Sequence, residues 1–351
     1  MPATRADAVT ALTAIWEEIL GVPVGPDDDF FDLGGYSLLV VDVVARARAA
    51  GLSVKAVDVF HHPTVAELAE RAVAGRPEPG FRPDMVAHVW RTSTGPWDPA
   101  VPPSLVELVA GDGREPLFCV HLGTGHVRLF ADLGARAAGG RPVYGFEAVG
   151  YRAPARPLLS IGETARRYLA ELRAVQPTGP YHLAGLCAGA VIALEMAQQL
   201  RADGAQVASL ILVDLPYGMP ELDPGWGLND YFEYLLGSLR VEFGLHDPVA
   251  DLPKALAQLH ERLWFEPTDG PEDFYRLVVL WAAALSAQEH YEPRRYDGPV
   301  TVIAPAERAE RVARYWSATL PRASVRITEH PYMVKILADP TVAEFFREDL
   351  A

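Results

Sequence analysis

The N-terminal part of the chain shows hydrophobic residues at helical spacing. Apolar side chains share one face of a predicted helix from Ala6 to Leu20, namely Val9, Leu12, Ile15, Trp16 and Ile19. A second predicted helix runs from Ser37 to about Ala50, and TVAELAERA predicts a short last helix that Thr64 caps, with Glu67 three positions on. This pattern predicts a small all-α helical bundle over residues 1–75.

From about residue 104 onward, short apolar runs alternate with longer helical stretches. The predicted strands are LFCVH (117–121), VYGFEA (143–148), YHLAGL (181–186), ASLILVD (208–214), VTVIAP (300–305) and SVRIT (324–328). Helices are predicted between them, including residues 160–176 and 188–203. This alternation indicates a mostly parallel sheet covered by helices, so we predict an α/β domain over residues 104–351.

Two segments interrupt these patterns. Residues 76–103 contain RPEPGFRP, STGPWDP and VPP, a proline-rich composition typical of a linker or an extended arm. Residues 215–296 break the alternation, and the runs DYFEYLLGSLR and EDFYRLVVLWAAALSAQ predict a helical insertion between two strands. Its aromatic residues favour either an apolar cavity or ordinary packing of helices; they include Trp226, Tyr231, Phe232, Trp264 and Trp281.

The composition excludes several classes of partner. The 351 residues carry a formal net charge of −15, and such a surface repels nucleic-acid phosphates and anionic lipid headgroups. We therefore expect no nucleic-acid and no membrane partner. The two cysteines, Cys119 and Cys187, form no disulfide framework, and no spacing typical of a metal site occurs. With no apolar leader at the N-terminus, these features predict a cytoplasmic protein.

The first candidate chemical site is Ser37. In DLGGYSLL this serine follows a Gly-Gly pair and begins an apolar helix, where backbone amides can meet a phosphodiester. A serine at this position also commonly caps its helix. By itself, the local pattern leaves both a modification site and a helix cap open.

The second candidate site is Cys187, in the sequence Gly185-Leu186-Cys187-Ala188-Gly189 between a predicted strand and a predicted helix. This context is that of the G-x-S-x-G nucleophile elbow of α/β-hydrolases, with cysteine in place of serine. A helix N-terminus favours the thiolate. Attack on a thioester would exchange one thioester for another, which keeps the acyl group activated toward amines and hydroxyls as well as water. The other cysteine, Cys119, lies in the middle of a strand and is typical of a buried structural residue.

The predicted elbow has candidate partners on neighbouring strands. Asp214 stands at the end of ASLILVD, one helix and one strand after Cys187, where a carboxylate can orient an imidazole or simply cap a turn. The glycine-rich loop after LFCVH and the amide of Ala188 predict an oxyanion hole. His121 and His126 in this loop are further candidate bases, although packing of the loop explains them as well.

The N-terminal motifs resemble one known family of domains. DxFFDLGGxSLL together with VFHHPTVAELA, over about residues 6–73, resembles the carrier domains of nonribosomal peptide synthetases. The resemblance implies a 4'-phosphopantetheine arm attached covalently to Ser37. It also implies a phosphopantetheinyl transferase and upstream synthetase modules as partners, with an acyl or peptidyl thioester as substrate.

Residues 105–350 resemble the type I thioesterase domains of the same synthetases, which have the α/β-hydrolase fold. The family's LFCVHPAGG stands here as LFCVHLGTG, so the resemblance implies an oxyanion amide at Gly123. It also implies a nucleophile at Cys187, an acid at Asp214 and a lid over about residues 215–296.

The chain departs from the thioesterase pattern at the base. The family has a histidine just ahead of the last helices, and the corresponding position here is Met333. His330 lies three residues earlier, almost one helical turn, so we predict that it serves as the base. The alternative is that His330 is a solvated loop residue and that the site lacks its base. In that case deacylation is affected more than acylation, because a cysteine thiolate can form without help.

The sequence therefore predicts a carrier–thioesterase didomain of nonribosomal peptide biosynthesis. The acyl group passes from the arm on Ser37 to Cys187 and leaves by hydrolysis, cyclisation or aminolysis. The linker between the domains raises the effective concentration of the arm at the elbow. The alternative is a carrier joined to a degenerate hydrolase that binds or shuttles acyl groups without completing release. Both a stand-alone didomain and a fragment of a longer synthetase are compatible with the sequence.

Overall fold

In the computed structural model the chain divides into two compact units. The structure describes residues 4–52, 54, 56–73, 83–217, 236–237, 252–261, 270–330 and 333–351. The first unit comprises residues 1–85 with 219–271, and the second comprises residues 86–218 with 272–351. Within the first unit, the backbone of Gly237 approaches the Phe60 ring so closely that a Cβ would clash there. The domain bounds of 1–75, 76–103 and 104–351, with a lid at about 215–296, stay a prediction.

The first unit is built from helices around an aromatic core. Its helices are α1 (Arg5–Leu20), α2 (Ser37–Ala49), α3 (Ala56–His61), α4 (Val65–Val73) and α9 (Leu252–Glu261). The residues of a fifth N-terminal helix, α5 (Pro83–Thr92), are divided between the two units, and this helix falls inside the segment predicted as a linker. Thr4 and Asp7 form a capping box at the start of α1, and the Glu67 amide donates to Thr64 Oγ1 at the start of α4. The all-α prediction is confirmed, although α3 and α5 were not predicted.

The second unit contains a seven-stranded sheet. Its strands are β1 (Leu105–Val109), β2 (Leu117–Val120), β3 (Val143–Phe146), β4 (Tyr181–Leu186), β5 (Val207–Val213), β6 (Thr301–Pro305) and β7 (Ser324–Thr328). Their order is β1-β3-β2-β4-β5-β6-β7, and all neighbours are parallel except β1 with β3. The six predicted strands are confirmed. The edge strand β1 escaped prediction because its apolar run is short and only half-buried.

Helices connect and cover these strands. They are α6 (Leu129–Ala137), α7 (Ile161–Val175), α8 (Ala188–Ala202), α10 (Pro271–Glu289), α11 (Ala306–Trp316), α12 (Met333–Ala338) and α13 (Pro340–Asp349). The mostly parallel sheet and its helices confirm the predicted α/β-hydrolase-type fold. They also place the ends of β4, β5, β6 and β7 along one edge, where the candidate catalytic residues follow.

The structure describes part of the predicted insertion. The run EDFYRLVVLWAAALSAQ forms α10, in which Trp281 is buried. From the run DYFEYLLGSLR, Leu236 and Gly237 are described and helical. The other aromatic residues predicted for this insertion lie outside the described residues; they are Trp226, Tyr231, Phe232 and Trp264. Within the part of the chain that the structure describes, no helix is long and apolar enough to cross a membrane.

Candidate active site and carrier attachment site

Cys187 stands between β4 and α8 in a strained backbone conformation. Its φ of 52° and ψ of −118° are rarely adopted by a residue with a side chain, and it occupies the N-cap position of α8. Its amide donates to the Val213 carbonyl at 2.9 Å. A sharp turn from a buried strand into a buried helix is therefore fixed at this residue, as the elbow prediction requires.

The glycines on both sides of Cys187 let backbone segments pack against each other. A Cβ at Gly185 would clash with the carbonyl of Gly189, and a Cβ at Gly189 would clash with the carbonyl of His121. These are backbone atoms, so no change of side-chain rotamer could relieve either clash. The spacing Gly-x-Cys-x-Gly thus has a steric cause: the start of α8 packs directly on its own strand and on the end of β2.

The two cysteines differ in environment. Cys119 is completely buried within β2, and desolvation raises the pKa of its thiol well above the ordinary range. Cys187 is partly exposed and stands at the N-terminus of α8, where the helix dipole favours an anion. Of the two thiols, Cys187 therefore has the environment of a nucleophile, and Cys119 has that of a packing residue.

The predicted oxyanion residues flank the elbow. Ala188 is the first residue of α8, so its amide has no carbonyl acceptor within the helix. Gly123 lies in the buried loop after β2, against the indole of Trp281: a Cβ at Gly123 would lie 2.8 Å from Cδ1 and 2.9 Å from Nε1. Sequence reasoning placed Trp281 only within the insertion; its contact with the oxyanion loop depends on how α10 packs over that loop.

His121 and His126 are buried in the same loop region. His121 Nδ1 lies 2.6 Å from the Leu122 carbonyl, and its Nε2 lies 2.8 Å from the Tyr168 hydroxyl. The Tyr168 hydroxyl also lies 3.1 Å from the Glu147 carbonyl. Desolvation lowers the pKa of each histidine to about 4, so both are neutral near pH 7. These contacts favour a structural role for His121 in holding the loop.

Asp214 follows β5 in a left-handed conformation, with φ of 48°. Because Leu186 pairs with Val213, Asp214 and Cys187 come directly after paired positions on neighbouring strands. Burial raises the pKa of the Asp214 carboxyl, and the positive charge of Arg308 opposes that shift. Arg308 Nη2 lies 3.2 Å from Asp214 Oδ1, and both side chains are almost fully buried. No sequence motif marked Arg308, which is brought to Asp214 by the turn from β6 into α11.

His330 follows β7 and is half-buried. Its amide donates to Thr328 Oγ1 at 3.3 Å, and that hydroxyl donates to Asp339 at 2.7 Å. The pKa of Asp339 is below its ordinary value: desolvation acts to raise it, while hydrogen bonds from Thr328 and Thr341 and the nearby His330 lower it. Among the described residues, the structure gives His330 no hydrogen bond to Asp214. Its part as the base therefore stays a prediction. Met333, which stands where the family has its histidine, is the first residue of α12.

Ser37 is the first residue of α2, and the N-cap position belongs to Tyr36, whose backbone is extended. Gly34, with φ of 89°, turns the chain just before it. The N-terminal amides of this helix of 13 residues are suited to a phosphodiester, so the position fits a phosphopantetheine arm. Ser37 is therefore not the N-cap residue of α2, which was the other role that the sequence left open.

Comparisons with known proteins identify the same two domains. Residues 10–72 match the phosphopantetheine attachment site family, and residues 115–222 match the thioesterase domain family. The chain is 37% identical over 207 residues to malpinin synthetase of Mortierella alpina, and 35% identical over 205 residues to a dimodular nonribosomal peptide synthase of Bacillus subtilis (strain 168). Each match covers 58% of this chain, but only 2% and 8% of the respective relatives' own lengths.

Solved structures show the same fold. A four-domain nonribosomal peptide synthetase in its holo form matches 99% of this chain over 26% of its own, with a TM-score of 0.60 and 24% identity. The wild-type Vlm2 thioesterase domain matches 70% of this chain over 97% of its own, with a TM-score of 0.53 and 23% identity. The chain thus consists of a carrier domain, the site of covalent phosphopantetheine attachment, followed by a thioesterase domain. This carrier–thioesterase architecture is like that of nonribosomal peptide synthetases.

Proposed function

We propose that this protein releases an acyl or peptidyl group from its carrier domain through a covalent intermediate on Cys187. The observation that carries the proposal is the strained backbone of Cys187 at the N-terminus of α8. Strain of this kind persists only where the surrounding packing enforces it, and it is concentrated at functional sites. The steric need for Gly185 and Gly189 supports the same conclusion.

The proposed attachment point is Ser37 at the N-terminus of α2. The phosphopantetheine arm, when bound, supplies the terminal thiol that carries the acyl group as a thioester. A phosphopantetheinyl transferase is the partner that this attachment requires, and upstream synthetase modules are the proposed source of the acyl or peptidyl group.

In the proposed first step the Cys187 thiolate attacks the carbonyl carbon of the carrier-bound thioester. The carbonyl oxygen gains negative charge, which the amides of Gly123 and Ala188 would stabilise. The bond to the carrier thiol then breaks, and the acyl group remains on Cys187 as a new thioester. Because one thioester replaces another, this step is nearly balanced in free energy, and thiolate formation at the helix N-terminus reduces its need for a base.

The second step releases the acyl group to water, to an amine or to a hydroxyl within the substrate. Each of these nucleophiles loses a proton as it attacks, so this step depends more on a base than the first step does. His330 is the proposed base, and Asp214 is the proposed acid that orients it. The products are a free acid, an amide or a cyclic ester, respectively, together with the free Cys187 thiol.

A second candidate function rests on the surroundings of Asp214 and His330, the proposed acid and base. Asp214 is paired with Arg308, and the contacts of His330 lead to Thr328 and to the vicinity of Asp339. This arrangement favours an alternative in which Cys187 accepts acyl groups but releases them poorly. The protein would then bind or shuttle acyl groups rather than complete their release.

The test is peptide-mapped mass spectrometry of the full chain after a phosphopantetheinyl transferase has loaded Ser37 with a simple acyl or aminoacyl group. We expect the acyl mass first on the Ser37 peptide and then on the Cys187 peptide. Cys187→Ala should keep the mass on Ser37, and Ser37→Ala should prevent loading. Cys119→Ala is the matched control, because that thiol is buried and should not change the transfer.

The lifetime of the acyl group on Cys187 separates the two candidate functions. Decay into free acid, amide or cyclic product supports release, whereas a stable acyl-Cys187 supports the binding or shuttling alternative. If several chemically different acyl groups load on Ser37 and none reaches Cys187, the covalent mechanism is wrong.

A further inference from the structure

The carboxylate predicted to be the catalytic acid has a buried cation beside it. Arg308 stands in the first turn of α11, its side chain is 5% exposed, and its guanidinium lies 3.2 Å from Asp214 Oδ1. The side chain of Asp214 is 12% exposed. A charge that deep is stable only when it is paired, so the carboxylate of Asp214 depends on this cation.

The strand registers explain why this pair lies at the candidate active site. Asp214 donates its amide to the Ile303 carbonyl at 2.8 Å, which ties the end of β5 to β6. Arg308 begins the helix that follows β6, and Cys187 follows β4 on the other side of β5. The ion pair therefore stands beside the elbow, at the edge where the thioester would be attacked.

We propose that Arg308 is a positioning residue of the release reaction: it acts through Asp214, whose carboxylate it holds charged and fixed in orientation beside Cys187. The proposal rests on the proposed function, since Asp214 matters only if acyl-Cys187 is released by acid–base chemistry. Arg308 itself is not required to touch the substrate. Its effect is that Asp214 stays ionised at a lower pH than burial alone would allow.

Other charged groups lie on the elements packed around Asp214. Glu307, which is exposed on the same turn as Arg308, acts in the opposite direction and raises the pKa of Asp214. β6 carries no titratable side chain, and the elbow contributes Cys187. The helices packed on β5 contribute further charged residues. The structure pairs most of them elsewhere, namely Glu195 and Arg201 on α8 and Glu344, Arg347 and Glu348 on α13, and Asp349 on α13 is half-buried.

The sign of the effect follows from these charges. Burial raises the pKa of Asp214, and Arg308 lowers it, so loss of the cation should raise it further. Release that needs the carboxylate is present above this pKa and lost as pH falls through it. The low-pH side of the pH–rate profile of release, here called the acid limb, should therefore move to higher pH when Arg308 is neutralised. It should move to lower pH when Glu307 is neutralised.

The experiment measures the rate at which acyl-Cys187 decays between pH 5 and 9 in the full chain, by quenching and peptide mass spectrometry. The decay step is chosen because the Cys187 thiol is then blocked and cannot itself contribute a titration. Every variant compared keeps His330, so a shift between variants is not caused by a change of the base. We expect Arg308→Gln to move the acid limb up by about one pH unit, which is about a tenfold slower decay on that limb, with the high-pH plateau within about twofold. Arg308→Lys, which keeps the charge, should restore most of the limb.

Controls separate positioning from general structural damage. Arg314→Gln on the same helix removes an exposed cation that pairs with exposed Glu310, and it should leave the profile unchanged. Glu307→Gln should move the limb downward, and because Glu307 is exposed this variant tests the proposal even if Arg308→Gln does not fold. In an Asp214→Asn background, Arg308→Gln should cause no further shift.

Three results would overturn the proposal. They are an unmoved acid limb in both Arg308→Gln and Glu307→Gln, a uniform slowing of Arg308→Gln at all pH values, and a shift that persists in the Asp214→Asn background. These results leave the covalent step of the proposed function standing, because that step is tested by whether Cys187 acylates in the wild-type chain. Normal acylation with an unmoved limb would remove the role of Arg308 and would count against Asp214 as the group that sets the limb.

Discussion

The ends of β4 and β5 lie side by side along one edge of the sheet, but different kinds of interaction hold the residues that follow them. At the end of β4 the position of Cys187 is fixed by backbone atoms, because the carbonyls of Gly189 and His121 leave no room for side chains at the flanking glycines. At the end of β5 the backbone of Asp214 is tied to the Ile303 carbonyl, but the charged state of its carboxylate depends on a side chain from another element, Arg308.

This difference separates what each region contributes to chemistry. A site fixed by backbone packing is rigid, and it presents the nucleophile in one strained geometry. A site fixed by a buried ion pair can be altered by one substitution or by a change of pH, because the charged state of the carboxylate depends on its partner. Acylation of Cys187 should therefore be robust, whereas release should be sensitive to the surroundings of Asp214.

The largest effect should come from filling the space at the elbow. Gly189→Ala places a Cβ against the carbonyls of His121 and Val120, so α8 must move away from β2. We expect loss of Cys187 acylation and a fall of about 1–3 kcal/mol in the free energy of unfolding. Acyl transfer by mass spectrometry and urea unfolding measure the two effects.

Gly162→Ala is the matched control for this substitution. A Cβ there would meet nothing closer than Ser160 Oγ at 3.9 Å and Glu195 Oε1 at 4.0 Å. It should change the free energy of unfolding by about 0.5 kcal/mol or less, or stabilise slightly. Acylation of Gly189→Ala at the wild-type rate would show that the elbow is not held by backbone contact.

The two cysteines provide the next largest effect. Cys119 is fully buried with a raised pKa, whereas Cys187 is partly exposed at a helix N-terminus. Iodoacetamide at neutral pH should therefore modify Cys187 at least about a thousandfold faster than Cys119, because Cys119 reacts only when the second unit opens. Peptide mapping gives both rates, and they should converge in denaturant. Comparable rates in the native protein would remove the contrast in environment that supports Cys187 over Cys119 as the nucleophile.

The sequence predicted the backbone-determined region well. The strand before Cys187, the helix after it and the glycines at its sides are local features, and each has a local physical cause. The same holds for the carrier helices and for the six strands, whose apolar periodicity survives in the structure.

The acid–base region could not be predicted in the same way. Arg308 is 94 residues from Asp214 in the chain, in a helix whose turn has no distinctive motif, and the ion pair exists only because β6 lies beside β5. His330 was predicted from its position ahead of the last helices, and nothing local states which carboxylate it approaches. The proline-rich composition of residues 76–103 predicts a linker, yet Pro83 is the first residue of α5.

A smaller effect should follow from crowding the oxyanion loop rather than the elbow. Gly123→Ala places a Cβ 2.8 Å from the indole of Trp281, so either the loop or the indole must shift. Loss of one oxyanion donor slows an acyl-transfer step by about 100- to 1000-fold, and we expect Cys187 acylation to slow within that range. Single-turnover acyl transfer measures it.

Because the atoms that Gly123→Ala meets belong to a side chain, this defect should be partly reversible. Trp281→Phe in the same chain shortens the ring that crowds the loop and should recover at least about tenfold of the lost rate. Trp281→Phe alone serves as the control for its own effect on α10. No recovery in the double variant would mean that the loop moves for another reason, and the distinction between backbone and side-chain crowding would not hold at this site.

The smallest effect concerns how buried Asp214 changes the pH dependence of the free energy of unfolding. Its ordinary pKa of 3.8 is raised in the folded protein, chiefly by desolvation, so between these two pKa values the folded chain binds more protons than the unfolded chain. The contribution of Asp214 to the free energy of unfolding is therefore greatest at low pH and falls as pH rises through this window, by about 1.4 kcal/mol for each pH unit between the two pKa values. Asp214→Asn should remove that fall. Urea unfolding of the second unit, followed by pulse-labelling hydrogen exchange of β4 and β5, gives the difference from wild type.

Asp112 gives a control of the opposite sign. It is exposed, and the hydrogen bonds from Arg114 lower its pKa to about 2, so its contribution to stability is present above pH 3.8 and lost as pH falls toward 2. Asp112→Asn and Asp214→Asn should therefore change the pH dependence of unfolding in opposite directions. If Asp214→Asn instead behaves like Asp112→Asn, the attraction of Arg308 outweighs the burial of the carboxylate. The carboxylate of Asp214 would then be fixed as firmly at the end of β5 as Cys187 is at the end of β4.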